Sequence, residues 1–293
     1  MARTGTSLDA ADAYCRELVR HYENFTVASR LSPQSLRRDL TRVYAFCRYT
    51  DDLGDESGDR AVATRRLRRW RDEVRESFEH DERTHPVLVA LADTVDRHAM
   101  EEQPFLDLID ANVQDQRVDR YEDWTELHAY CTRSAAPVGR MVLRLFDIDM
   151  PVATSLSDDV CIGLQLANFA QDVSVDTRLG RTYLLQRDIR EHGVDGATRL
   201  LCDRARTLLA SGRELERLAP PRLRVQLALY RLGGEAILDA VAARGYRTSS
   251  RRPVVDGAAR VRIAGSALAT GLRRRPAPQQ TLGVVSRIGD GRG

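Results

Sequence analysis

Apolar residues recur every three or four positions along most of the chain, which is the period of a helix, and strict alternation is nearly absent. Ser32-Pro33 offers a cap followed by proline in a first turn, so a helix is expected to run on through SLRRDLTRVYAFCRYTDDLGDE. A second is expected over 59–79, with arginine and glutamate on its outer face, and Pro86 and Pro104 should each open another. The stretches 121–134 and 137–147 read as a helix pair broken at SAAP. Residues 154–176 read as one long helix ended by the polar segment DTRLGR, and two or three more helices fill 196–245. No repeat of solenoid period is present. The pattern predicts one all-α domain over residues 1–272, followed at 273–293 by RRRPAPQQTLGVVSRIGDGRG, a tail short of core residues.

Composition narrows the classes of function. With 293 residues, 42% of them hydrophobic and 30% charged, the chain is long enough to bury a sizeable core. It contains no lysine, so all 45 basic residues are arginine, yet the net charge is only +2 and does not call for a nucleic-acid partner. The run RRLRRWRDEVRE (65–76) reads as a solvated helix face with acid-base pairing. Five scattered cysteines without a CxxC pair fit a reducing cytosol better than a disulfide framework or a zinc site. The first residues, MARTGTSLDAADAY, lack the apolar core of a signal peptide, and no apolar run reaches membrane-span length. A cytoplasmic protein with at most peripheral membrane contact is expected, the arginines at 273–275 being candidates for that contact.

Two stretches carry candidate chemistry. In YAFCRYTDDLGDE, Tyr44, Arg48, Asp51 and Asp55 fall within an arc of about 60° on a helix. Two carboxylates one turn apart repel each other, and a hard divalent cation would offset that repulsion. In QLANFAQDVSVDTRLGRTYL, Gln165, Asn168, Asp172 and Asp176 form a polar stripe about 16 Å long bordered by core-like residues. Either stretch alone also suits something ordinary, a solvated acidic turn in the first case and a polar outer face in the second. Together, two DxxxD pairs suit a diphosphate held between helices by magnesium ions, with Arg48 and Arg181 as planar forks for further phosphate oxygens. The cation left after diphosphate departs would meet aromatic faces, for which Tyr130 and Tyr183 are candidates; Tyr130 equally fits a buried, hydrogen-bonded tyrosine. Arg133 and Arg140 suit diphosphate contacts or plain ion pairs. His80, His85 and His98 show no metal-binding pairing and read as surface or cap residues.

From about Tyr14 to Leu272 the chain resembles the squalene and phytoene synthases, on the strength of YAFCRYTDDLGDE and QLANFAQDVSVDTRLGRTYL. GGEAILDAVAARGY (233–246) and the Arg252-Pro253 pair add weaker support. The resemblance implies a single-domain prenyl synthase fold with a central cavity. It implies Asp51, Asp55, Asp172 and Asp176 as ligands of two or three Mg2+ ions, with Asn168 a further ligand. Arg48, Arg181 and Arg252 would contact substrate, together with Tyr44 and Gln165. ENFTVASRLSP (23–33) and YCTRSAAPVGRMVL (130–143) are similar to the bacterial hydroxysqualene synthases. That branch implies ionisation of presqualene diphosphate, rearrangement and capture by water, without NADPH and alongside partner enzymes of the same pathway. The other openings are a head-to-head condensing enzyme fed with farnesyl or geranylgeranyl diphosphate, and a non-catalytic helical scaffold. Leu185 stands where many members carry proline, and Ala170 where relatives in the branch often carry a larger aromatic residue.

Overall fold

The computed structural model describes residues 7–20, 34–55, 58–80 and 83–272, and every regular element among them is helical. The sequence dictates most of the helix starts. Helix α1 (Leu8–Leu18) is capped by Ser7, whose hydroxyl accepts from the Ala10 amide. Helix α2 spans Gln34–Asp55; its expected Ser32-Pro33 start lies outside the described residues. Asp59 caps α3 (Arg60–Glu79) by accepting from the amides of Ala61 and Val62. Pro86 opens α4 (Pro86–His98), and Pro104 sits in the first turn of α5 (Gln103–Asp115). The broken pair appears as α6 (Trp124–Ser134), capped by Asp123, and α7 (Ala136–Leu145), with Ala135 between them out of helical geometry.

Helix α8 (Pro151–Arg178) is longer than expected at both ends. Helix α9 (Gln186–Ala210) also starts earlier, because Gly193, at φ 68°, kinks it and lets a short first segment precede the run read from the sequence. Helices α10 (Gly212–Leu218), α11 (Pro221–Ala242) and α12 (Gly257–Leu272) complete the bundle. The proposed tail, 273–293, lies outside the described residues. Among the described residues no helix is long and apolar enough to cross a membrane.

Two groups of helices build the bundle. Helix α8 packs against α7, α9 and α11, whereas α2 packs against α1, α3, α4 and α5. The α2 and α8 helices are not themselves closely packed; α7 contacts both and holds them apart. The α1–α2–α4 corner is fixed by Arg42, which is fully buried. Its guanidinium forks Asp12 at 2.7 and 3.1 Å and also reaches Asp93 and Thr94. Asp39 next to it takes Arg97 and His98. Buried charges this dense persist only when paired and hydrogen-bonded.

His85 bears out the cap reading but is less superficial than expected. The ring of His85 accepts from the Val87 amide and packs 4.3 Å from Tyr49 and 4.9 Å from Trp70, between ring centroids, and burial lowers its pKa. All five cysteines are free, in agreement with the absence of a disulfide framework.

Candidate functional site

Both aspartate motifs sit at helix ends, and the way α8 ends brings them together. After Leu179 the chain turns through Gly180 at φ 78°. The Gly180 amide bonds the Thr177 carbonyl at 3.1 Å and the Arg181 amide bonds the Asp176 carbonyl at 3.0 Å. This is the Schellman pattern, and its left-handed position suits glycine. It folds Arg181 back over the helix end. The Arg181 guanidinium then stands 3.6 Å from Asp176 and 3.9 Å from Asp55, between the last carboxylates of the two motifs. These are loose ion pairs rather than closed hydrogen bonds, and the Arg181 Nε is buried without a partner.

On α2, Asp51 accepts from the Asn112 amide of α5 at 3.2 Å. Burial pushes its carboxyl up to about 6, the Asn112 bond opposes that, and neighbouring Asp55 adds to it. Asp55 at the helix end is exposed. On α8, Asp176 is also pushed up to about 6, by burial against the pull of Arg181, with Asp172 adding to the rise. On the same stripe Gln165 and Asp172 are half-buried and Asn168 is exposed, whereas Asp176 is buried.

Three predicted contacts have partners the sequence did not name. Arg48 forks Asp52 on its own helix at 2.7 and 3.2 Å rather than reaching across the site. Arg252 forks Asp172, and Gln171 donates to the Pro253 carbonyl at 2.8 Å, so two neighbouring residues of α8 hold the 252–253 segment. Tyr44 lies deeper, its hydroxyl 2.8 Å from that of Tyr230, which also accepts from Gln226. Of the two undecided arginines, Arg140 forms a plain ion pair with Asp158, and Arg133 donates to Gln114.

An aromatic wall adjoins the carboxylates. The strap after α8 is held by the Thr182 amide on the Asp119 carbonyl and the Gln186 amide on that of Tyr121. It presses Tyr183 flat on Phe169, with centroids 3.8 Å apart and planes 4° from parallel. Tyr130 and Tyr121 complete the group at 5.8 and 5.9 Å from Tyr183. Both predicted tyrosines are thus present, side by side, and burial raises the pKa of each hydroxyl.

Sequence reasoning missed Asp115, the last residue of α5. Its Oδ2 accepts from the Tyr130 hydroxyl at 2.7 Å, and its Oδ1 is buried without a partner. Burial drives its carboxyl up to about 7, against the pull of the Tyr130 bond and of Arg181. The available signal was Asn112-x-x-Asp115, an amide and a carboxylate nearly one turn apart, on a helix that also carries Asp107, Asp110 and Gln114.

Asp51, Asp55, Asp172, Asp176 and Asn168 form a set of hard oxygen donors. Among the described residues no three carboxylate, histidine or cysteine side chains already converge on a single point. Magnesium is commonly bound through one or two carboxylates plus phosphate oxygens, so paired aspartates with space between them suit it. The buried Arg181 Nε, 3.6 Å from Asp176 and without a hydrogen-bond partner, fits the same reading, as a donor that a phosphate oxygen would engage.

Comparison with known proteins agrees with this architecture. The chloroplastic phytoene synthase of Narcissus pseudonarcissus is 30% identical over 280 residues, covering 86% of this chain and 64% of that protein. The phytoene synthase of Arthrospira platensis is 32% identical over 200 residues, 63% of this chain and 64% of that one. The chloroplastic enzyme of an Oncidium hybrid cultivar is 32% identical over 203 residues, 66% of this chain, which spans only 48% of that relative's length. Among solved structures, squalene synthase HpnC from Alicyclobacillus acidocaldarius superposes with a TM-score of 0.76 at 44% identity, covering 82% of this chain and 95% of that one. A dehydrosqualene synthase matches in fold, with a TM-score of 0.81 at 23% identity over 89% of this chain and 96% of its own. A model of the squalene/phytoene synthase family matches residues 18–259, and the chain belongs to that family.

Proposed function

We propose that this protein is a magnesium-dependent enzyme acting on a prenyl diphosphate, and that it converts presqualene diphosphate to hydroxysqualene. The observation that carries the proposal is that Arg181 stands between the last carboxylates of the two aspartate pairs, Asp55 on α2 and Asp176 on α8. The 44% identity to the Alicyclobacillus squalene synthase supports this branch over the phytoene synthases, which lie near 30%.

Asp51, Asp55, Asn168, Asp172 and Asp176 would hold magnesium, which would supply positive charge to neutralise the departing diphosphate. The chain's own groups do the rest. Arg181, loosely paired on both sides, turns its fork to phosphate oxygens, and Arg252 leaves Asp172 to do the same. The carbon–oxygen bond breaks with its electron pair going to diphosphate. The cyclopropylcarbinyl cation rearranges beside the faces of Tyr183, Tyr130 and Phe169. Water, oriented by Gln165 or Asn168, then adds to the cation and gives up a proton to the released diphosphate, leaving an alcohol, so no NADPH is consumed. Substrates of this length collect in bilayers, which suits a cytoplasmic enzyme with peripheral membrane contact and pathway partners that make and use its substrate and product.

The test is product analysis by mass spectrometry, with purified protein, magnesium and presqualene diphosphate, and no NADPH. A thirty-carbon alcohol with diphosphate release supports the proposal. No conversion, together with product from farnesyl or geranylgeranyl diphosphate, would move the protein to the condensing branch. Absence of diphosphate release from every substrate would point to a non-catalytic scaffold. Asp172→Ala should abolish turnover while the protein stays folded.

A further inference from the structure

Asp115 belongs to neither aspartate motif, yet it is the most perturbed carboxylate at the site. Among the described residues it takes one hydrogen bond, from Tyr130 on α6. Its second oxygen is buried and unpartnered. Its place at the last residue of α5 puts it where the helix dipole disfavours negative charge. Orienting a tyrosine hydroxyl needs only a neutral acceptor, such as a backbone carbonyl or an amide. A carboxylate kept there against both desolvation and the dipole points to a use for its charge.

The geometry points to Asp115 as a positioning residue that acts through Tyr130, fixing its ring beside Tyr183 and Phe169 and, in its ionised form, placing negative charge behind the aromatic face that the carbocation meets. The inference rests on the reaction proposed above and names a residue for its cationic step. The hydroxyl-to-carboxylate bond at 2.7 Å polarises the phenol toward its ring. The Tyr130 centroid lies 5.8 Å from that of Tyr183 and 6.4 Å from that of Phe169, so one anchored ring sets the edge of a three-ring wall. The cation exists only after diphosphate leaves. Asp115 therefore acts on the transition state and not on substrate affinity. No proton moves in this role.

A kinetic double-mutant cycle tests it, with magnesium and presqualene diphosphate as the probe. Asp115→Asn and Tyr130→Phe should each lower kcat by about ten- to a hundredfold with KM nearly unchanged. The double variant should be no slower than the slower single one, because both changes remove the carboxylate charge's effect on the Tyr130 ring. Asp115→Glu, which restores a carboxylate, should recover part of the loss. Multiplying losses, a rise in KM alone, or an unchanged kcat would overturn the proposal. If Asp115→Asn folds poorly, Tyr130→Phe reads the same link with the carboxylate in place, and full kcat there overturns it too. A wild-type protein that releases no diphosphate would remove the proposed reaction and this role with it. Wild-type turnover with multiplying losses overturns this role alone.

Discussion

Replacing Asp115 by asparagine should make the metal-free protein more stable, and increasingly so as pH rises. Burial moves its carboxyl from the ordinary 3.8 to about 7 in the folded chain. The folded state therefore holds a proton that the unfolded state has released between those two values. Stability from this group is fully present below about pH 4 and is lost as pH climbs through about 7. A shift of about three units corresponds to about 4 kcal/mol at the upper bound, at about 1.4 kcal/mol per unit. Relaxation and water entry reduce such penalties in real interiors, so about 1–2 kcal/mol is the working figure at pH 8. Asparagine keeps an oxygen for the Tyr130 hydroxyl and carries no charge, so it escapes the penalty. Its melting temperature should exceed that of the wild type by about 3–6 °C at pH 8. The assay is thermal unfolding of both proteins in EDTA at half-unit steps from pH 5 to pH 8. The gap should widen with pH. A constant gap, or a less stable variant at pH 8, would refute the reasoning.

Three further outcomes follow from the geometry. Arg42→Ala should cost about 3–5 kcal/mol in urea unfolding, since it strands the buried Asp12 beside Asp39 and Asp93; a loss under about 1 kcal/mol would mean that the network is dispensable. Gly180→Val should cost about 1–2 kcal/mol, because a β-branched residue is strained at φ 78°. It should also weaken binding of inorganic diphosphate with magnesium, measured by calorimetry, by displacing Arg181; unchanged affinity would separate the turn from the site. Arg252→Gln frees Asp172 from its fork, so Mn2+ without diphosphate should bind about five- to tenfold tighter by titration calorimetry, a gain worth about 1 kcal/mol. Equal or weaker binding would show that Arg252 does not compete with metal.

Much of the fold was legible because helices declare themselves locally. Pro86, Pro104 and the acidic cap at Asp59 mark helix starts within a residue or two of where they occur. Helices α1 and α12 escaped notice because they are docked at the ends of the bundle, against α4 and α11, with broad exposed faces. The motif stripes were legible for a related reason. Asp51 and Asp55 share a face of one helix, as do Asp172 and Asp176, and spacing alone reveals that. Partners drawn from distant segments were not. Nothing local says that Arg252 will fork Asp172, or that Asp115 will receive the Tyr130 hydroxyl. The pairing of Arg48 with Asp52, one turn away on the same helix, was open to a local reading but went unnamed.

The pairing of Arg252 with Asp172 also bears on the order in which the molecule comes into being. A chain emerging from the ribosome presents Asp51 and Asp55 first, Asp172 and Asp176 next, and Arg252 and α12 later still. Domains begin to fold before synthesis is complete. A nascent bundle can therefore bring its carboxylates together while the arginine that neutralises Asp172 is still unmade. The charge of Asp172 is then balanced only after all four carboxylates of the two motifs have been made.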